Sequence, residues 1–154
     1  MREILFRGKH LLRDANDKEA WVYGRLLYHA NENPELAQIA TNGVDENGLR
    51  SLYVVDASTV GQYTGLRDRN GNKVFEGDIL KIYKKSDALG TYFYPEVPYP
   101  CNVIVKWDFC AWMWETITKD KRYISFPDAW CHYSCEVIGN IYDNPELLEE
   151  GEKR

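Results

Sequence analysis

The sequence predicts a mainly β protein, and two properties of the chain support that class. Aromatic residues make up 14% of the 154 residues, with 11 tyrosines and 5 tryptophans, and aromatic residues are enriched in strands. The apolar residues fall in short alternating runs separated by turn-forming Asn-Gly pairs, and no window of the N-terminal part shows the period of an amphipathic helix. We therefore expect short strands joined by tight turns.

Residues 1–60 form the predicted N-terminal β portion. Its predicted strands are Ile4–Phe6, Trp21–Tyr28 and Ser51–Asp56. The segment Leu36–Thr41 fits a short strand or a single helical turn, and both alternatives stay open. In the second strand, period-two alternation places four side chains on one face: Trp21, Tyr23, Arg25 and Leu27. Gly24 in the same strand is expected to mark a β-bulge.

The stretch Gln62–Leu80 has the strongest local sequence signals in the chain. Asn70 and Gly71 both tolerate positive φ, which a short reversal between twisted strands requires. Asp68 can accept hydrogen bonds from backbone amides two residues further on, which closes such a turn. This pattern predicts a tight turn between two strands.

A second turn is predicted at Glu76–Asp78, leading into a core strand at Ile79–Tyr83. The acidic side chains Asp68, Glu76 and Asp78 offer a metal-binding or acid-base interpretation. Turn capping explains the same residue types without any ligand, and we favour it.

Five segments carry a resemblance to a known family, and together they span nearly the whole chain in matching order. They are Met1–Arg7, Thr59–Leu66, Asn70-Gly71, Phe75–Ile79 and Glu136–Leu148. With these segments the chain resembles the YopX family of phage and prophage proteins. The aromatic, cysteine-containing stretch Asp87–Cys135 departs from the usual pattern of that family.

The resemblance implies a small, mainly β protein with an SH3-like barrel element, encoded by temperate phages and prophages of bacteria. We expect that barrel in residues 61–148, followed by a charged tail at residues 149–154. The boundary after residue 60 is soft, because no linker-like composition marks it. The resemblance implies no catalytic residues.

A long connection, residues 84–100, is expected to interrupt the barrel portion. It mixes prolines with aromatic residues, and prolines cannot sit in a central ladder. Long loops on compact β domains are often functional, and aromatic residues are enriched at protein contacts. Contact with a partner and packing over the protein's own core both stay open. The candidate partner-contact residues are Tyr92, Phe93, Tyr94 and Tyr99.

Beyond the loop, Cys101–Trp107 is a predicted strand and Phe109–Glu115 its hairpin partner. Trp112 and Trp114 share one face of the latter. Adjacent aromatic residues can stack nucleic-acid bases, but acidic residues dilute the nearby lysines, so we favour core packing. A final strand is predicted at Ser134–Tyr142. A short C-terminal helical turn is expected after it, with Asn144 as its cap and Pro145 at its first position.

The four cysteines are Cys101, Cys110, Cys131 and Cys135. With His132 they suggest a zinc site, although their spacing is not that of a regular zinc knuckle. In a reducing cytosol they are expected to be thiols that pack as small apolar groups. We therefore predict no metal and no cofactor.

Charge limits the choice of partner. A formal net charge of −5 and a pI of about 5.2 argue against general nucleic-acid binding, which needs a basic surface. A local basic patch remains the alternative, and its members would be Arg67, Arg69, Lys73, Lys81, Lys84 and Lys85. No signal peptide and no apolar run of membrane-spanning length are evident, so we expect a cytoplasmic protein that does not bind membranes.

The expected function follows from these limits on partners and from the absence of catalytic motifs. There is no nucleophile elbow, phosphate loop or metal-spaced histidine pair, and the three histidines lie far apart in sequence. We expect a non-catalytic protein-binding module with a host or phage protein as partner, which also forms a homo-oligomer. The alternatives are a nucleic-acid-binding SH3-like domain and a self-assembling structural component.

Overall fold

A computed structural model describes residues 3–11, 20–27, 33–83, 100–108, 111–116, 123–125 and 135–149. The mainly β class predicted from the sequence is confirmed, because these residues form two antiparallel sheets and very little helix. No helix in these ranges is both long and apolar enough to cross a membrane.

The strands, in chain order, are β1 (Phe6–His10), β2 (Ala20–Leu27), β3 (Leu36–Val44), β4 (Arg50–Asp56), β5 (Gly61–Arg67), β6 (Lys73–Phe75), β7 (Asp78–Ile82), β8 (Cys101–Asp108), β9 (Ala111–Thr116), β10 (Tyr123–Ser125) and β11 (Cys135–Asn140). A 3-10 helix, Ala57–Thr59, precedes β5, and a short helix, α1 (Glu146–Glu149), follows β11. The ambiguous segment after residue 35 is thus a strand, β3. The chain divides into two compact units, Met1–Gly65 and Leu66–Arg154, whereas the sequence placed its soft boundary after residue 60.

In the first unit the strand order is β2-β3-β4-β1-β5, and β1 also pairs with β2. β1 pairs with β2 along its whole length, from Phe6 to His10. On its other side it pairs with β5 near its start and with Val55 of β4 at its end. These pairings join β1–β4 into a ring of strands. The core inside it includes Ile39 and Val55, both fully buried.

Gly24 is not a bulge, and that expectation was wrong. It pairs in unbroken register with Phe6 on β1 and with Thr41 on β3. A Cβ atom at this position would lie 2.0 Å from the carbonyl oxygen of Ala40. Gly24 is therefore required by a close approach of two backbones, which is the other common reason for glycine inside a strand.

In the second unit the sheet order is β10-β9-β8-β7-β11. β7 lies between β8 and β11, and its apolar side chains are almost completely buried. The core members are Val74, Leu80, Ile82, Val103, Val105, Trp114 and Cys135. Trp114 thus packs in the core, as the sequence favoured, and β9 is the hairpin partner of β8. The barrel element stays a prediction.

Two hairpin turns share one design, with the sequence Asp-x-Asn-Gly. In the turn between β5 and β6, Asp68 Oδ1 accepts hydrogen bonds from the backbone N–H groups of Asn70 (2.9 Å) and Asn72 (2.8 Å). Gly71 has a φ of 84°, which glycine tolerates without strain. The predicted Asn-Gly turn and its closure by Asp68 are confirmed.

The turn between β3 and β4 repeats this arrangement. Asp45 Oδ1 accepts hydrogen bonds from the N–H groups of Asn47 (2.9 Å) and Leu49 (2.8 Å), and Gly48 has a φ of 77°. The two turns differ in their surroundings, because Asp68 is fully buried while Asp45 is exposed.

Candidate functional site

The residues predicted for partner contact, Tyr92, Phe93, Tyr94 and Tyr99, lie outside the described residues. Lys84 and Lys85 of the alternative basic patch do so as well. The described candidates are the acidic turn residues, two of the cysteines, the rest of the basic patch and the exposed faces of the sheets.

Two of the three acidic residues of the central stretch, Asp68 and Asp78, act as turn caps. Asp68 Oδ2 accepts hydrogen bonds from the side chain of Asn72 and, at 3.0 Å, from the backbone N–H of Val137. Asp78 accepts one from the N–H of Phe75 at 2.7 Å. Burial raises the pKa of Asp68, but these hydrogen bonds to its carboxylate outweigh burial and lower it overall. The capping interpretation is confirmed for Asp68 and Asp78.

Two of the cysteines flank one core residue. In the sheet register Ile82 lies opposite Cys101 on one side and opposite Cys135 on the other. Two strand spacings separate the cysteines, roughly 9–10 Å, which is too far for a disulfide. Burial raises the pKa of the Cys101 thiol to about 11. Both side chains pack as small apolar groups, and the described residues contain no cluster able to hold a metal ion.

The described part of the basic patch carries mixed charge. The guanidinium of Arg69 lies 5.2 Å from the centre of the Tyr83 ring, and the ammonium of Lys81 lies 5.6 Å from it. The hydroxyl of Tyr83 donates a hydrogen bond to Glu136. Because burial and this carboxylate both disfavour the phenolate, the pKa of Tyr83 is raised. A carboxylate in this position weakens the patch as a phosphate site.

Among the described residues, a distinctive surface is the outward-pointing side of β2, β3 and β4 in the first unit, here called the outer face. Side chains on this face alternate with the buried ones, and several of them are large and apolar. Its exposed apolar side chains are Tyr23 (46% exposed), Leu27 (41%), Leu52 (58%) and Val54 (40%). Exposed apolar side chains grouped on one face of a sheet are typical of interaction sites.

A depression of about 350 Å³ lies in the middle of the outer face. Its floor is Ala40 on β3, whose register partners are Arg25 on β2 and Leu52 on β4. A small side chain between two long ones leaves a hollow, and Leu27 and Arg50 complete its lining. The hollow is almost entirely apolar except for the two arginines.

The two arginines set the electrostatics of this depression. In the part of the chain that the structure describes, neither Arg25 nor Arg50 forms an ion pair or a side-chain hydrogen bond. Both side chains are exposed. The depression therefore presents, beside an apolar surface, two guanidinium groups whose donors bind no other described residue. Guanidinium groups bind carboxylates and phosphates by paired hydrogen bonds.

Half of this site is visible in the sequence pattern. Alternation placed Tyr23, Arg25 and Leu27 on one face of the second strand. It did not show that this face points outward, or that Leu52 and Arg50 lie across from it. A usable signal was the strand Arg50–Asp56, in which Leu52 and Val54 alternate with the inward-facing Tyr53 and Val55.

The fold and the site define the class of this molecule as a mainly β protein with two antiparallel sheets and an exposed apolar face on its first unit. Comparison with family models gives the narrower assignment. The model described as YopX protein matches residues 13–149. The chain belongs to the YopX protein family.

Other comparisons add little to that assignment. A search of curated proteins finds no match. Among solved structures, the chain is similar to the crystal structure of protein EF1440 from Enterococcus faecalis. The identity is 21%, the alignment covers 97% of this chain and 100% of that chain, and the TM-score is 0.48.

Proposed function

We propose that this YopX family member is a non-catalytic accessory protein of a phage or prophage, and that it binds a protein partner in the host cytoplasm through the outer face. One observation carries the proposal: Leu27 and Leu52 are exposed and line a depression, and Val54 is exposed in the neighbouring register row. Burying such apolar area against a partner contributes about 25 cal/mol per Å² of binding free energy before the costs of association.

The lining of the depression favours a protein over a nucleic acid. A nucleic-acid site neutralises a row of phosphates with many basic side chains, whereas this surface has two arginines among apolar residues. The net charge of −5 would also repel a polyanion. A protein surface can supply both apolar side chains and a small number of carboxylates.

The test is co-purification of the tagged protein from its bacterial host, with and without nuclease. The informative variant is Leu52→Asp, and Ile4→Asp is the matched control because Ile4 is also exposed (68%) and lies in the same unit. We expect a stoichiometric protein partner that survives nuclease, is retained by the control and is lost with Leu52→Asp. A partner retained by both variants would place the contact elsewhere.

The aromatic loop is proposed as a second contact. If it is one, replacing Tyr92, Phe93 and Tyr94 together by Ala removes the partner and leaves the circular dichroism spectrum unchanged. An unaltered set of partners would rule out the loop as a contact and would not test the contact proposed on the outer face.

Two further candidate functions are a small nucleic-acid site and self-association. Arg69 and Lys81, which lie near the Tyr83 ring, would be the phosphate contacts of a small nucleic-acid site, and the Glu136 carboxylate counts against it. That candidate requires partners that disappear with nuclease. Self-association is the other candidate, since exposed apolar strands often pack between subunits. We propose a homo-oligomer, and light scattering that returns the chain mass of 18.0 kDa at high concentration would refute it.

A further inference from the structure

We infer that the depression on the outer face binds a peptide segment in which an apolar side chain stands next to carboxylates. This inference rests on the proposed function and names the chemistry of its partner. Three features of the depression lead to it: its small floor, its uneven polarity and its two arginines.

The floor of the depression provides room for one side chain. Ala40 is only 6% exposed because its longer neighbours, Arg25 and Leu52, border it on both sides. An apolar side chain of the partner that lies over Ala40 would contact Leu27 and Leu52 at once. Buried anchors of this kind, seated in a pocket, supply most of the energy of typical interfaces.

The polarity of the face is uneven along the strands. The next register row beyond Ala40 is Leu27, Gln38 and Val54, which is mostly apolar. In the opposite direction along β4, two residues before Leu52, lies Arg50. A bound segment should therefore point its apolar end toward Leu27 and Val54 and its charged end toward Arg50.

The two arginines supply the charge complementarity that selects acidic segments. They stand on strands separated by β3 and are offset by two residues along them, so their Cα atoms are roughly 12 Å apart. Flexible arginine side chains can span that gap and bind two neighbouring carboxylates or one shared carboxylate. Apolar surroundings strengthen such pairs, because water competes less for the charges. The whole chain has more acidic than basic residues, so these two arginines form a local positive site that favours acidic segments over basic ones.

Recognition over the floor must use side chains. β3 pairs with β2 on one side and with β4 on the other, so its backbone groups near Ala40 are already part of the ladder. A ligand above it cannot add as a further strand at that point. A compact motif of an anchor and adjacent carboxylates meets this condition.

The experiment selects short random peptides displayed on a carrier against the intact immobilised protein, and then measures the affinity of the enriched peptides by fluorescence anisotropy. The charge variants are Arg25→Gln and Arg50→Gln, with Arg69→Gln as the control that makes the same charge change in the other unit. Ala40→Leu fills the depression. Circular dichroism checks folding, and the two arginine variants keep the test valid if Ala40→Leu fails to fold.

We expect the enriched peptides to carry Asp or Glu next to Leu, Ile, Met or Phe. Each charge variant should weaken their binding by about tenfold, the loss expected for a hydrogen-bonded ion pair, and Ala40→Leu by at least as much. Arg69→Gln should change the affinity for these peptides less than twofold, a difference near the limit of measurement. Salt should also weaken binding.

Each other outcome overturns a stated part of the reasoning. Enriched peptides that lack acidic residues but fail to bind Ala40→Leu would refute the inference and leave the outer face as a binding surface. Peptides that bind all the variants equally bind elsewhere on the protein. They would refute both the inference and the use of the outer face as a binding surface. If no peptide is enriched, or if the enriched peptides carry carboxylates without an apolar residue, as the chain's own charged tail at residues 149–154 does, no apolar anchor is recognised and the inference fails.

Discussion

Replacing Asp68 by Ala should destabilise the protein far more than the same change at Asp45. Both carboxylates accept hydrogen bonds from two backbone amides of an Asp-x-Asn-Gly turn. Asp68 alone also accepts one from Val137 on β11, 69 positions away, and one from the side chain of Asn72. Asp45 is therefore a natural control that isolates the long-range part of the network.

The magnitude follows from the bonds lost. The Val137 amide loses a charged hydrogen bond, which costs about 2 kcal/mol. The remaining three bonds cost about 0.5–1 kcal/mol each, because water can replace part of them. The total for Asp68→Ala is about 3.5–5 kcal/mol, against about 1–2 kcal/mol for Asp45→Ala. For a chain of this size the difference corresponds to a further fall in Tm of roughly 5–10 °C.

Urea unfolding followed by tryptophan fluorescence and circular dichroism would measure this difference. The pH dependence provides a second check. Because the pKa of Asp68 is lowered in the folded state, its stabilising effect is full above the unfolded pKa of about 4 and disappears as the pH falls through the lower folded pKa. The gap between wild type and Asp68→Asn should therefore shrink in acid. Equal losses from Asp68→Ala and Asp45→Ala would refute the reasoning.

Two other predictions follow from packing and burial. Gly24→Ala should unfold the first unit or lower the free energy of unfolding by about 4 kcal/mol or more, because the new methyl group would collide with the backbone of Ala40. The control is Gly43→Ala, whose methyl group meets no atom within 4 Å and should change the urea midpoint little. Equal urea midpoints for the two variants would contradict the close approach at Gly24. Burial raises the pKa of the Cys101 thiol to about 11, and only the thiolate reacts with iodoacetamide, so at pH 8 Cys101 should react roughly a hundredfold more slowly than glutathione. Peptide mapping would measure the rate. A rate equal to that of glutathione would show that the thiol is not buried.

The Asp-x-Asn-Gly turns could be read from the sequence because their determinants are local. Asn70 and Gly71 supply the backbone conformations, and Asp68 supplies an acceptor within two to four residues of its donors. Strands with clear alternation, such as Arg50–Asp56, were predictable for the same reason. The chemistry of these residues does not depend on what the rest of the chain does.

The role of Gly24 could not be predicted from local sequence. A glycine inside a strand is compatible with a bulge or with a close backbone approach, and only the neighbouring strands decide between them. In the same way, Val137 could not be foreseen as a hydrogen-bond partner of Asp68, since no local pattern links residues that distant.

The sequence by itself determined the β class, the turns, the family and which side chains of β2 share a face. Tertiary structure alone decided that this face is exposed, that Leu52 and Arg50 lie across β3 from Arg25, and that Ala40 forms the floor between them. The physical reason is that alternation specifies two faces without saying which one is buried. That choice depends on pairings between strands far apart in the chain, and the depression exists only once those pairings are made.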